Sequence, residues 1–146
     1  MCIGLSIQQI STFLTVFVAF LAVFIAFSQM RIAREKLRFD IYAKRFEIYK
    51  NCVIYYIAVN EKKSNDEIKK SKELFTISMR ESLFLFDDKK GIHSELKNFS
   101  QVMEKFKYKI ENNHPVDPID AENSLLNIEE KMKNYILFNK FSKWMV

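Results

Sequence analysis

The stretch FLTVFVAFLAVFIAF at residues 13–27 decides the fold, because it is apolar on every side of a helix. It lies within an 18-residue segment, residues 10–27, that holds three polar side chains and no charged one. At about 1.5 Å rise per residue, this segment spans roughly 27 Å, close to the ~30 Å hydrocarbon core of a bilayer. The sequence therefore predicts a transmembrane helix within residues 1–30.

Two other interpretations of this segment stay open at the level of sequence. A cleaved signal peptide would explain the apolar run and the small-x-small triplet Ala26-Phe27-Ser28. Signal peptides begin with basic residues, however, and none precedes the apolar run here. A buried core helix of a soluble protein would need the remaining residues to cover it on all sides.

The charges that follow the apolar run predict its orientation. The first charged side chain is Arg31, and residues 31–50 hold seven basic side chains. The positive-inside rule places the flank that is richer in Lys and Arg in the cytoplasm. We therefore expect residues 31–146 to form a cytoplasmic domain, with the short N-terminus outside.

The basic excess is concentrated beside the predicted span. Residues 31–72 carry 12 basic and 6 acidic side chains, whereas residues 73–146 carry 11 and 12. Anionic lipid headgroups attract such charges by about 1 kcal/mol for each Lys or Arg near the surface. Nucleic acid is the alternative counter-charge, but the position next to the membrane already explains the sign. The side chains predicted to bind the lipid surface are Arg31, Arg34, Lys36 and Arg38.

Composition favours an all-α domain after the span. Hydrophobic residues make up 49% of the chain, which excludes a disordered polypeptide, and 2 Gly and 2 Pro leave few turns for a β fold. Apolar residues recur at alternating gaps of three and four, as in amphipathic helices. We predict a small helical bundle whose first helix continues the membrane helix.

Four amphipathic segments carry this pattern. The first has a heptad seam of Ile32, Phe39, Phe46 and Val53 with Tyr42, Tyr49 and Tyr56, widened by Leu37, Ile41, Ile48, Cys52 and Tyr55. The second is predicted at residues 66–86, capped by Asn65 or Asp66, with a face of Ile68, Phe75, Met79, Leu83 and Phe86. The third is predicted at residues 93–112, after a turn in which Gly91 takes positive φ, with a face of Ile92, Leu96, Phe99, Met103, Phe106 and Ile110. The fourth follows the Asp117-Pro118 pair to about residue 142, with a face of Leu125, Ile128, Met132, Tyr135, Phe138 and Phe141.

Small side chains line one face of the predicted membrane helix. Small residues at this spacing let helix backbones approach closely in lipid, where packing drives association. The alternative is that Ala and Thr are simply common in spanning helices and that the Phe residues face lipid. We predict a self-association face, whose transmembrane packing residues are Thr15, Ala19, Ala22 and Ala26.

The sequence contains no motif for catalysis, for a cofactor or for a metal. The two histidines, His93 and His114, are far apart and lack the spacing of metal ligands. Cys52 lies on the wide stripe of the first helix and is interpreted as a small core residue. Arg38, Lys44 and Arg45 are expected to be exposed and are candidates for binding lipid phosphates or a nucleotide. We predict no catalytic, cofactor-binding or metal-binding residue.

The segment REKLRFDIYAKRFEIYK, at residues 34–50, resembles the juxtamembrane stretch of small uncharacterised bacterial single-pass membrane-anchored proteins. The matching positions are Arg34, Glu35, Lys36, Leu37, Arg38, Asp40, Tyr42, Lys44, Arg45, Phe46 and Tyr49. The resemblance covers about 35 residues including the anchor, and it implies a topology rather than a mechanism. Some small one-span helical proteins of bacteria act as membrane effectors in phage defence, which offers an analogy for function.

The expected function is binding. We predict a scaffold, sensor or membrane effector whose partners are the lipid bilayer, further copies of the chain and a protein partner. Homo-oligomers would form through the membrane helix and the first helix. The alternative is a membrane-anchored hydrolase or nucleotide-binding subunit. A third interpretation is an effector that disrupts the membrane.

Overall fold

The computed structural model describes residues 7–87, 91–115 and 117–136. Over these ranges the chain is all-α, with four helices and no strand. The helices are α1 Ile7–Asn60, α2 Asn65–Leu85, α3 Ile92–Glu111 and α4 Ile119–Ile136. By packing, the chain divides into two compact units, Met1–Asp40 and Ile41–Val146.

The first unit consists of the N-terminal part of α1. Of the helices described, α1 alone is long and apolar enough to cross a membrane. Every side chain at positions 9–40 is exposed. A core helix of a soluble protein would be mostly buried, so that alternative does not fit the apolar segment.

The second unit has one apolar core, to which all four helices contribute. The side chains of α1 in this core are Ile48, Cys52, Tyr55, Ala58 and Val59. The rings of Tyr55 and Phe75 stack with centroids 5.6 Å apart, and Phe99 meets Phe75 edge-on at 5.4 Å. Cys52 is fully buried, which confirms its interpretation as a core residue.

The predicted heptad seam of α1 faces the core only in part: Tyr49 and Tyr56 are half-buried and pack against the core, but other seam residues do not. Phe46 is 46% exposed, and Val53 is half-buried. The core side is instead the stripe of Ile48, Cys52 and Tyr55, which the sequence had marked only as a widening. Apolar side chains surround most of this helix, so its own pattern cannot determine which side the other helices cover.

Helix α2 begins at Asn65, one residue earlier than predicted. Its cap is Ser64, not Asn65 or Asp66: the Ser64 hydroxyl accepts from the backbone N–H of Glu67, and the Glu67 carboxylate accepts from the Ser64 N–H. This reciprocal pair is a capping box. Leu83, predicted on the core face, is 54% exposed.

Three serines occupy buried positions of α2 that the apolar pattern did not assign to the core. Ser71, Ser78 and Ser82 are buried. The hydroxyls of Ser71 and Ser82 donate to carbonyl oxygens of their own helix at 2.8 and 2.7 Å. Small side chains with internally bonded hydroxyls let α2 approach its neighbours without an unpaired polar group.

Helices α3 and α4 follow the predicted pattern closely. Gly91 has φ 62° and precedes α3, as predicted. Before α4, the Asp117 carboxylate accepts a 3.0 Å hydrogen bond from the N–H of Ile119. The predicted positions Phe138 and Phe141 lie outside the described residues. The buried residues that confirm the predicted faces are Ile92, Leu96, Phe99, Met103, Phe106, Ile128 and Met132.

Candidate functional site

The four predicted lipid-binding side chains lie together on the exposed helix after the apolar segment. Arg31 pairs with Glu35 at 3.5 Å, and the Arg34 guanidinium lies 3.7 Å from the Met30 sulfur. Lys36 and Arg38 are exposed as well. All four cationic groups are therefore accessible to an external anion.

The predicted packing stripe of the apolar segment is exposed along its whole length, from Thr15 through Ala19 and Ala22 to Ala26. The Thr15 hydroxyl donates a 2.9 Å hydrogen bond to the carbonyl oxygen of Ser11 on the same helix. In hydrocarbon an unpaired hydroxyl is costly, and this internal bond removes that cost. The stripe thus presents a smooth, small-residue surface.

Arg45 corrects one sequence expectation, because it is built into the fold rather than exposed. Its Nε donates a 2.9 Å hydrogen bond to the carbonyl oxygen of Leu85, the last residue of α2. Its guanidinium carbon also lies 4.9 Å from the Tyr135 ring centroid and 5.5 Å from that of Phe86. Burial lowers the pKa of this guanidinium. Arg45 therefore connects α1 with α2 and α4.

Tyrosines of α1 bind carboxylates of α4 at the surface of the bundle. The hydroxyl of Tyr49 donates to Glu129, and that of Tyr56 donates to Glu122, both at 2.9 Å. Burial, followed by the hydrogen bond to Glu129, raises the pKa of Tyr49 to about 12. The pKa of Tyr56 is raised for the same reasons, with Glu122 as the acceptor. These contacts fix α4 against α1.

A third tyrosine–carboxylate contact connects α1 to α3. Burial raises the pKa of Tyr55, and its hydroxyl donates to Glu104 at 3.1 Å. Burial also acts to raise the pKa of Glu104, but the hydrogen bond and charge of Lys72 outweigh it, so the net shift is downward. The carboxylate is therefore a structural acceptor in its charged form.

A groove of about 890 Å³ lies between α3 and α4, and both apolar and polar side chains line it. Ser124 lines it and is 3% exposed, and its Oγ has no hydrogen-bond partner among the described residues. Amide and ammonium groups surround the groove, among them Asn98, Lys105 and Asn127. These groups can donate hydrogen bonds to a polar ligand, and the volume lies in the usual range for small-ligand sites. The apolar pattern of α3 and α4 does not predict the groove, because its shape depends on how the two consecutive helices pack against each other.

The remaining candidates for chemistry have structural roles or lie apart. His93 is half-buried, with Nδ1 3.1 Å from both the Ser82 hydroxyl and the Met79 carbonyl oxygen. Burial raises the pKa of the Cys52 thiol to about 12, which disfavours the thiolate. Over the described ranges, no group of three or more His, Cys, Asp or Glu side chains is arranged to hold a metal ion.

Comparison of the chain with protein-family models, with curated proteins and with solved structures finds no match.

Proposed function

We propose that this chain is a single-pass protein of the bacterial inner membrane whose cytoplasmic helical domain acts by binding. The observation that carries the proposal is the apolar part of α1, residues 10–27, which is exposed throughout and is followed by a basic segment. Exposed apolar surface of this extent is unfavourable in water and favourable in hydrocarbon. The domain would serve as an oligomerising scaffold, a sensor or a membrane effector.

The proposed orientation depends on Arg31, Arg34, Lys36 and Arg38. Their exposed charges would bind anionic headgroups on the cytoplasmic face, at about 1 kcal/mol for each well-placed group. Arg45 is excluded from this set because its guanidinium is bound inside the fold. The basic segment resembles that of small one-span bacterial proteins, and phage defence is carried over from some of them by analogy alone.

The proposal of binding draws on the distribution of polar and apolar side chains in the helical domain. The alternative, a membrane-anchored hydrolase or nucleotide-binding subunit, predicts buried Asp, Glu, Arg and His side chains that converge on one pocket. Among the described residues, the buried polar side chains are four serines, Ser71, Ser78, Ser82 and Ser124. Charged groups lie around an apolar core, as expected for a binding module.

Fractionation with topology reporters tests the proposed membrane location. We expect the full chain to stay in the membrane pellet after alkaline carbonate extraction, with a C-terminal reporter active in the cytoplasm and an N-terminal one active outside. Recovery of the intact chain in the soluble fraction without detergent would contradict the proposal.

A charge series tests the orientation. Replacing the four basic residues after the span by glutamine should raise the fraction of inverted chains, because the positive-inside bias is weakened. The matched control removes four lysines from exposed positions of α3 and α4, Lys97, Lys105, Lys109 and Lys133, for the same change in net charge. Equal topology in both variants would remove the assigned role of the basic segment.

A toxicity comparison separates the effector from the scaffold. If the protein permeabilises the membrane, its expression should slow growth, and deletion of residues 1–30 should abolish that effect. A passive scaffold shows no such difference.

A further inference from the structure

The outer side of α2 carries apolar side chains that no described residue covers. Phe84 is 89% exposed, more than any other large hydrophobic side chain in the described part of the chain. Leu74 and Ile77 are also exposed. At 100° per residue, Ile77 and Phe84 lie on the side of the helix opposite the buried Phe75, and Leu74 lies on the flank, about 100° away from Phe75. Within the described part of the bundle, no side chain packs against this apolar surface.

A groove lies beside this surface, between the end of α1 and the first half of α2. Its volume is about 410 Å³, and its walls include Ile54, Ile57, Ala58 and Leu74. Lys70 lies at the α2 side of the groove. The groove is mainly apolar and open, so it can accept a protruding apolar side chain.

The charged and apolar residues of this face form a palindrome. Lys70, Leu74, Ile77 and Glu81 follow one another at spacings of four, three and four, so that they share one stripe of the helix. Read in the opposite direction, the spacing is the same, the middle positions are again apolar, and the end charges are opposite. A stripe of this kind is complementary to an antiparallel copy of itself.

We propose that two copies of the chain pair through antiparallel α2 helices, with the twofold axis between Phe75 and Thr76. This register places Leu74 against Ile77 of the second copy and Lys70 against its Glu81, twice by symmetry. Helical side chains lean toward the N-terminus of their own helix, so the ring of Phe84 comes to lie over the groove of the second copy. Each copy thus supplies a knob and a groove.

The charges of the face favour a second copy over a lipid surface. The outer side of α2 carries Lys69, Lys70 and Arg80 together with Asp66, Glu73 and Glu81, so it has no net positive charge with which to attract anionic headgroups. In the antiparallel pair, Lys70 of each copy faces Glu81 of the other, so the positive and the negative charge both make a favourable contact.

One helix pair buries less than the ~800 Å² per partner of a typical stable interface, so the contact is weak in dilute solution. Membrane anchoring raises the effective concentration of the two copies. Only this last step depends on the proposed function.

Site-specific crosslinking of the full-length chain in its native membranes tests the register. Two differently tagged chains are co-expressed, one with Leu74→Cys and the other with Ile77→Cys, both in a Cys2→Ser background, and are treated with a short bismaleimide. We expect the mixed crosslink in high yield. A control pair that combines Leu74→Cys with Leu126→Cys on α4 should give little product.

Charge reversal tests the complementarity. Lys70→Glu should weaken the association about tenfold, because both symmetric pairs turn repulsive. Adding Glu81→Lys should restore most of the crosslink, whereas Lys97→Glu on α3 should have no effect. A double variant that stays as weak as the single one would overturn the proposal.

A polar substitution at Phe84 tests whether its ring contributes to the interface. Phe84→Ser removes an exposed side chain, so the fold is retained, as circular dichroism can verify, and the crosslink should fall strongly. Leu126→Ser, at a site that is 58% exposed, is the matched control. An unchanged yield with Phe84→Ser, or a crosslink only to a different protein, would overturn the proposal.

A failure of the α2 pairing can be distinguished from a failure of the proposed membrane anchoring. If fractionation finds the chain soluble, the anchoring proposal fails, while the crosslink between the two α2 positions still appears at raised protein concentration. If the chain is anchored but the crosslink is absent, the α2 pairing alone is wrong.

Discussion

The hydroxyl of Tyr55 on α1 donates a 3.1 Å hydrogen bond to Oε1 of Glu104 on α3. The same oxygen lies 2.8 Å from the ammonium of Lys72 on α2. One carboxylate oxygen therefore connects three helices of the bundle. Tyr55 brings a fully buried ring to this point, so the polar contact and the core packing depend on the same side chain.

Removing this hydroxyl should weaken the bundle without disturbing its packing. We expect Tyr55→Phe to lower the free energy of unfolding by about 1–2 kcal/mol, since a hydrogen bond to a charged group is lost while the ring remains. Chemical denaturation of the full chain in detergent, followed by circular dichroism, measures the change. Tyr108→Phe, at an exposed position of α3, is the control and should leave stability unaltered.

Tyr49 should make the fold sensitive to alkali. Its pKa is raised from 10.0 to about 12 in the folded chain, so the folded state holds this proton more tightly than the unfolded state does. Its contribution to stability is complete below pH 10 and is lost as the pH rises toward 12. Stability should thus fall over that window, and Tyr49→Phe should make the fall shallower. An identical alkaline profile for the variant would contradict this assignment.

Arg45 should not be replaceable by lysine. Lysine keeps the charge but cannot both donate to Leu85 and stack its planar group on Tyr135. We expect Arg45→Lys to cost about 1–2 kcal/mol of stability, measured by denaturation. Lys44→Arg, at the neighbouring exposed position, should be neutral. Equal effects of the two changes would show that the guanidinium contacts contribute nothing.

The residue that caps α2 differs between the sequence prediction and the structure. Ser64→Ala should cost about 1 kcal/mol, because it opens the capping box with Glu67. Asn65→Ala, at a position that sequence alone selects as a cap, should cost little. Paired denaturation curves decide between them, and a larger effect at Asn65 would contradict the capping geometry.

The small-residue stripe predicts a change in oligomerisation within the membrane. Ala22→Leu should weaken association of the full chain about fivefold, since a bulky side chain keeps the helices apart. A membrane two-hybrid assay or crosslinking measures it, with Phe24→Leu as the control on the opposite face. If Ala19, Ala22 and Ala26 together can be replaced by leucine without effect, the stripe is not an interface.

The apolar pattern predicted the buried residues correctly on α3 but not on α1. On α3 the apolar side chains lie on a single stripe with polar groups elsewhere, so Leu96, Phe99 and Met103 could be assigned to the core directly. On α1 apolar and aromatic residues surround most of the helix. The pattern then favours Phe46 and Tyr55 equally as core residues, but of the two only Tyr55 is buried.

The candidate sites divide in the same way. The basic segment after the apolar run is a local feature, and Arg31, Arg34, Lys36 and Arg38 are as exposed as predicted. Arg45 belongs to the same run of sequence, but a carbonyl of α2 and a ring of α4 bind it. Those partners are distant in sequence, so nothing near Arg45 could reveal them.

The sequence alone determined that the chain is helical, that its first part is apolar on all sides and that basic residues follow it. These properties depend on composition and on short-range periodicity. Tertiary structure decided which face of α1 is covered, why three serines of α2 are buried, and which apolar surface is left over on α2. Burial is a relation between helices, so it is fixed only when the neighbouring helix supplies the atoms that exclude water.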